Sequence, residues 1–179
     1  TPFAACAQGT PWALTLAIEA HVRAALARLD AREWQMLGEA AIHRSASVEA
    51  AAQLKGPVVV GAQCFVSASA LLRGGVWLCE GCTVGPGCEL KSSWLGTGST
   101  LAHMNFVGDS VIGRDVNIEA GSIVANHRNE RGDKRIRVRV HGELHTLDIT
   151  KFGAMVGDHA RIGANAVLAP GALLAASTI

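Results

Sequence analysis

Residues 41–90 read "AIHRSASVEAAAQLKGPVVVGAQCFVSASALLRGGVWLCEGCTVGPGCEL", and an aliphatic falls on every sixth position: Ile42, Val48, Leu54, Val60, Val66, Leu72, Leu78, Val84 and Leu90. A period of six matches neither the 3.6 of an amphipathic helix nor the plain alternation of a hairpin sheet. It matches a short strand plus a turn, repeated, which is the hexapeptide β-helix pattern. Four positions after most of these aliphatics comes a small or β-branched residue, such as Ala46, Ala52, Val58, Cys64, Ala70, Cys82 and Cys88. Positions two apart on a strand share a face, so both slots point inward.

Downstream the register slips by one at Leu95, Leu101 and Val107, and again at Ile112, Ile118 and Val124. After an interruption it resumes as Val156, Ile162, Leu168 and Leu174. These repeats, at three per turn, make about six coils rising ~4.8 Å each, a prism roughly 30 Å long. The fold class is therefore all-β, a parallel β-helix over residues 39–179. Aromatics are only 4% of the chain, with no Tyr, which suits a core so narrow that backbones lie close together. Cys64, Cys82 and Cys88 occupy the small inward slot and read as reduced core residues, not as reagents.

Two segments lie outside the prism. In the N-terminal segment, residues 1–38, Thr10 and Pro11 form an N-cap and first-turn pair. Leu14, Ile18, Val22, Leu26 and Leu29 follow as an apolar stripe at helical spacing. This helix is expected to cover the open end of the prism or to pack on a neighbouring subunit, because a bare β-helix end is a sheet edge. The second segment, an insert at about 128–150, alternates through "RIRVRV" and "ELHTL" around His141-Gly142 and reads as a β-hairpin. Its basic residues are either a solvated face or a flap over an anionic ligand.

A net charge of +1 gives no field to gather nucleic acid or anionic membrane. No apolar run approaches the roughly 18 residues of a membrane span, and no secretory signal pattern is present. A cytoplasmic, reduced protein is expected. Residues 18 apart stack in such a prism, so Lys55, Arg73 and Lys91 should form a column of cations, which repel unless an anion lies among them. His103, two positions after Leu101, falls near a corner, not in the core. Histidine titrates near neutrality and suits general-base work, although position alone does not assign it. No pair of histidines has clear metal-ligand spacing, so no metal site is expected.

The stretches "ELKSSWLGTGSTLAHMNFVGDSVIGRDVNIEAGSIVANHRN" and "KFGAMVGDHARIGANAVLAPG" carry a family resemblance. The chain resembles the left-handed β-helix acyltransferases, and among them the acetyltransferase domain of bifunctional N-acetylglucosamine-1-phosphate uridylyltransferases. Left-handedness is implied by this resemblance, as is an activity: acetyl transfer from acetyl-CoA to the amine of an amino-sugar phosphate. By the same resemblance His103 matches the catalytic base and Asn126 a residue beside the reacting amine and thioester. Arg73, Lys91, Asn117 and Lys151 match residues that hold the acceptor's sugar and phosphate. Phe106 stands where the family commonly has a Tyr that contacts the acceptor, and Glu119 where it has a Gly. The resemblance further implies a homotrimer with sites in the clefts between chains, and no metal for acyl transfer. No Gly-rich nucleotide loop is present, so a stand-alone acetyltransferase domain is expected. Two alternatives stay open: a non-catalytic scaffold that kept an old ligand pocket, and a γ-type carbonic anhydrase, whose Gly-His and following His are not found.

Overall fold

The computed structural model describes residues 9–179; residues 1–8 of the N-terminal segment, Cys6 among them, lie outside the described residues. The repeat forms a parallel β-solenoid of six stacked coils and part of a seventh, with three faces. On the second face Val48, Val66, Val84, Leu101, Ile118 and Ile162 stack in register. On the third, Leu54, Leu72, Leu90, Val107, Val124 and Leu168 do the same. The first face carries Ile42, Val60, Leu78, Leu95, Ile112, Val156 and Leu174. The three columns meet in one core. It is fully buried through its middle and only partly so at Ile42, Val48 and Leu54 at one end and Leu168 and Leu174 at the other.

The two register slips have a structural cause at the corner between the third and first faces. There the strand Leu71–Leu78 spends two residues, Gly74 and Gly75, where its neighbour Glu89–Leu95 spends one, giving a bulge between Arg73 and Val76. Below the slip, Val76 N donates to the Pro57 carbonyl. Above it, hydroxyls take over: Ser110 N donates to Ser93 Oγ at 3.1 Å and Ala154 N to Ser110 Oγ at 3.0 Å. Buried serines thus satisfy the amides that a shortened corner would orphan.

The helix Pro11–Leu26 is N-capped by Thr10, whose side chain accepts from Ala13 N at 3.3 Å. It does not cover the end of the prism, the first of the two places expected for it. It lies along the first face, with Ile18, Val22 and Ala25 packed against Val59 and Trp77 and flanked by Trp94. Trp77 and Trp94 stack with ring centroids 5.5 Å apart. The reason is that the outward positions of this face are themselves apolar, so the face needs a cover. Contact is close: at Gly75, φ +88, a Cβ would lie 2.7 Å from the Glu19 Cα of the helix. The end of the first coil instead opens as a cavity of about 570 Å³ lined by Ile42, Val48 and Leu54.

The insert contains the antiparallel strands Arg137–Val140 and Glu143–Thr146. Both turn residues have positive φ, His141 at 48° and Gly142 at 86°, as a two-residue type I′ turn requires. Ile136, Val138 and Phe152 form a satellite core that pins the insert, and the Phe152 ring meets Trp12 edge-on at 5.9 Å. Cys79 and Cys82 stand three apart, a spacing shared with redox and zinc motifs. Both are free thiols, Cys82 lies in the inward slot, and burial pushes the Cys79 thiol up to about 12, far from the range of a reactive thiolate. No helix among the described residues is long and apolar enough to cross a membrane.

Candidate active site

Lys55, Arg73 and Lys91 are direct neighbours in register along the third face. Two of the three are paired with carboxylates of the chain. Arg73 pairs with Glu89 at 2.6 Å, and Lys91 Nζ reaches both oxygens of Asp109 at 3.0 and 3.1 Å. The Lys91–Asp109 pair is the more enclosed, its side chains 19% and 11% exposed. Asp109 sits at the corner in the left-handed region, φ 46°, and its second task is to accept from the Asn126 amide. Phe106 joins the group from the same strand: a Cβ on Gly108 would lie 2.6 Å from Asn126 Nδ2 and 2.9 Å from Phe106 Cζ. Only a glycine lets that amide and ring edge approach so closely.

Lys151 is exposed and follows the insert back into the prism. It is held near Asn126 by two bonds on either side, Phe152 N to the Asn126 carbonyl at 3.1 Å and the His127 ring to the Thr150 carbonyl at 2.9 Å. Arg73, Lys91, Phe106, Asn126 and Lys151 therefore gather along one edge of the third face.

His103 and Asn117 do not join them within one chain. His103 is exposed in the turn between Thr100–Leu101 and Phe106–Gly108, at the opposite edge of the third face, and its carbonyl accepts from Gly121 N at 2.9 Å. Asn117 lies on the second face, between Thr100 and Arg161, and its amide donates to Glu119 at 2.7 Å. Met104, beside His103 in this turn, and Ile123, one coil above at the start of the third face, are exposed apolar side chains, with Val167 farther up that face. Among the described residues no three His, Cys, Asp or Glu side chains come together as a metal site.

A family profile described as the GMPPB C-terminal domain matches residues 36–141, which run from the first coil to the hairpin turn. The chain belongs to that family. Among curated relatives of this GMPPB C-terminal domain, the bifunctional sugar-1-phosphate nucleotidylyltransferase/acetyltransferase of Sulfurisphaera tokodaii is 39% identical over 93 residues, 52% of this chain and 23% of that protein. The bifunctional protein GlmU of Heliobacterium modesticaldum is 36% identical over 110 residues, 61% of this chain and 24% of that protein. The chain thus spans about a quarter of the length of the curated relatives it matches. Among solved structures, a mutant perosamine N-acetyltransferase from Caulobacter crescentus, in complex with CoA and GDP-perosamine, is 25% identical. That match has a TM-score of 0.27 and covers 48% of each chain.

Reading residues alone missed Asp109, the hub of the edge cluster in this GMPPB C-terminal domain. Its signal is the dipeptide Gly108-Asp109, a residue free of side chain followed by a carboxylate at a corner. Because Asp109 is buried, Lys91→Ala leaves its carboxylate without a cation. We expect that variant to lose about 1–3 kcal/mol of stability, the cost of an unsatisfied buried acceptor, read by urea unfolding. Lys91→Met/Asp109→Asn removes both charges together and should recover most of that loss.

Proposed function

We propose that this domain transfers an acetyl group from acetyl-CoA to the amine of an amino-sugar phosphate, at sites shared between the chains of a homotrimer. The observation that carries the reading is the edge cluster of Arg73, Lys91 and Asn126, two cations and an amide held in fixed geometry beside Phe106. Support also comes from the acetyltransferase named among the curated relatives. The cations bind the acceptor's phosphate and sugar, and Lys151 closes over them. His103 of one chain faces this cluster on the next, which accounts for their separation within a chain and for the exposed apolar Met104 and Ile123 near His103.

In the reaction the neutral amine attacks the thioester carbonyl carbon. The C–N bond forms, His103 takes the proton from nitrogen, and the C–S bond breaks to release CoA thiolate, which is then protonated. Asn126 donates toward the reacting atoms, and acyl transfer of this kind needs no metal. Phe106 offers no hydroxyl and Asn117 already engages Glu119, so the acceptor is a glucosamine-1-phosphate-like sugar held with fewer side-chain hydrogen bonds at those two positions.

Thiol release from acetyl-CoA, measured against glucosamine and galactosamine 1-phosphates and against nucleotide-linked amino sugars, tests the activity. Turnover with one of them is the expected result; none with any supports the scaffold reading instead, for which the in-chain pairing of Arg73 with Glu89 speaks. The shared site has its own test. His103→Ala and Lys91→Met/Asp109→Asn, each inactive alone, are unfolded together and reassembled. Random cyclic assembly leaves about one site in four with both intact halves, so about a quarter of wild-type activity should return. A site contained in one chain would recover none.

A further inference from the structure

A second cluster of cations lies on the same corner, above the site just described. Arg128, Arg137 and Arg139 line a cavity of about 200 Å³, whose other wall is Leu144, Pro170 and Leu173. Sequence and topology explain the grouping. Along Arg137–Val140 the side chains alternate, so Val138 turns into the satellite core while Arg137 and Arg139 share the opposite face. Leu144 is the cross-strand partner of Arg139 and faces the same way. The coil corner comes up tightly against this strand. Gly171 has φ +88, and a Cβ there would collide with the Arg137 carbonyl oxygen.

The arginines are only partly neutralised by the chain. Arg128 donates to the Pro170 carbonyl at 3.0 Å and meets Glu130 at 3.3 Å, yet its Nε is shielded from solvent with no hydrogen-bond partner. Arg137 makes a long ion pair at 3.8 Å with Asp133, a carboxylate it shares with Arg135, which holds each oxygen at 3.0 Å. Arg139 bonds the Gly142 carbonyl at 2.7 Å and reaches no carboxylate among the described residues.

We propose that this cavity binds the phosphate of a nucleotide, with the arginines on its oxygens and the nucleoside body against Leu144, Pro170 and Leu173. Guanidinium groups are matched to phosphate geometry, and the aliphatic wall distinguishes an organic phosphate from the free ion. The place fits too: Ala169 continues the column of Lys91, Gly108 and Ala125, three coils or ~14 Å up. Two molecules of the proposed reaction carry such a group, the CoA donor and a nucleotide-linked acceptor. The cavity's binding does not itself rest on acetyl transfer.

Calorimetric titration of the full chain with adenosine 3′,5′-bisphosphate, UDP, GDP and inorganic phosphate tests the site without turnover. At least one nucleotide should bind about tenfold more tightly than inorganic phosphate, and Arg137→Gln/Arg139→Gln should weaken it about tenfold or more. Arg137→Lys/Arg139→Lys, which keeps the charge but not the fork, should fall between. Preference for the bisphosphate assigns the cavity to the donor, and preference for UDP or GDP to the acceptor. Equal binding by the wild type and both arginine variants, or no nucleotide ahead of inorganic phosphate, overturns the proposal.

Discussion

His103→Ala is expected to lower the turnover number for acetyl transfer at least about a hundredfold, the smaller end of what a general base contributes, without moving the thermal midpoint. Both halves of that expectation come from where the residue sits. His103 is exposed in a turn, and it is tied to the next coil through its backbone carbonyl, which alanine retains. Removing an exposed side chain away from any core costs little, usually within ~0.5 kcal/mol. The amine, by contrast, must lose a proton as the C–N bond forms, and the other imidazole near the proposed shared site, His127, already has its Nδ1 on the Thr150 carbonyl. The loss should fall on kcat with KM nearly unchanged, since proton transfer belongs to the transition state and not to acceptor binding. Stopped-flow or coupled thiol assays on folded, size-checked protein read both constants. A variant with wild-type kcat would remove His103 from the chemistry.

The prism was legible because its signal is additive: each aliphatic six residues from the last repeats the same statement, so a single slip at Leu95 does not obscure it. The N-terminal helix was legible for the same kind of reason, through Thr10-Pro11 and its stripe. Its position was not. A stripe announces that something will be buried and says nothing about against what. The answer was written in the outward slots Val59 and Trp77, which only become outward slots once the coil register is assigned.

The site divides along the same line. Stacking follows from counting residues, so the column of Lys55, Arg73 and Lys91 could be read from spacing. What neutralises the column could not. Glu89 lies one residue before its column's inward slot and Asp109 one residue past the end of the strand, and neither offset distinguishes a partner from a solvated carboxylate. The meeting of Asp109 with Asn126 is harder still, because the insert leaves the prism directly after Asn126 and bends that residue back over the corner. Likewise the alternation of "RIRVRV" tells which residues share a face, but not that the face closes on Pro170.

Leu101→Ala should be among the most damaging substitutions in the core, with a loss of about 2–5 kcal/mol. Leu101 is fully buried and stands in the middle coils, directly between Val84 below and Ile118 above. A solenoid holds together through contacts between neighbouring coils, each coil touching only those beside it. A cavity at an inner coil therefore weakens two interfaces, and the ladder of backbone bonds on either side resists the collapse that would fill it. A marginally stable domain, at roughly 5–15 kcal/mol in all, loses a large part of its margin. Leu174→Ala is the control. Leu174 occupies the equivalent inward slot, but on the final coil, where it is only partly buried and has one neighbouring coil, Val156 below it. Less surface is lost, the end can relax, and the cost should be under half that of Leu101→Ala. Urea unfolding followed by far-UV signal gives both values. Equal losses at the two sites would mean that the coils do not act as nearest-neighbour units, and that the prism unfolds with its ends as firmly coupled as its middle.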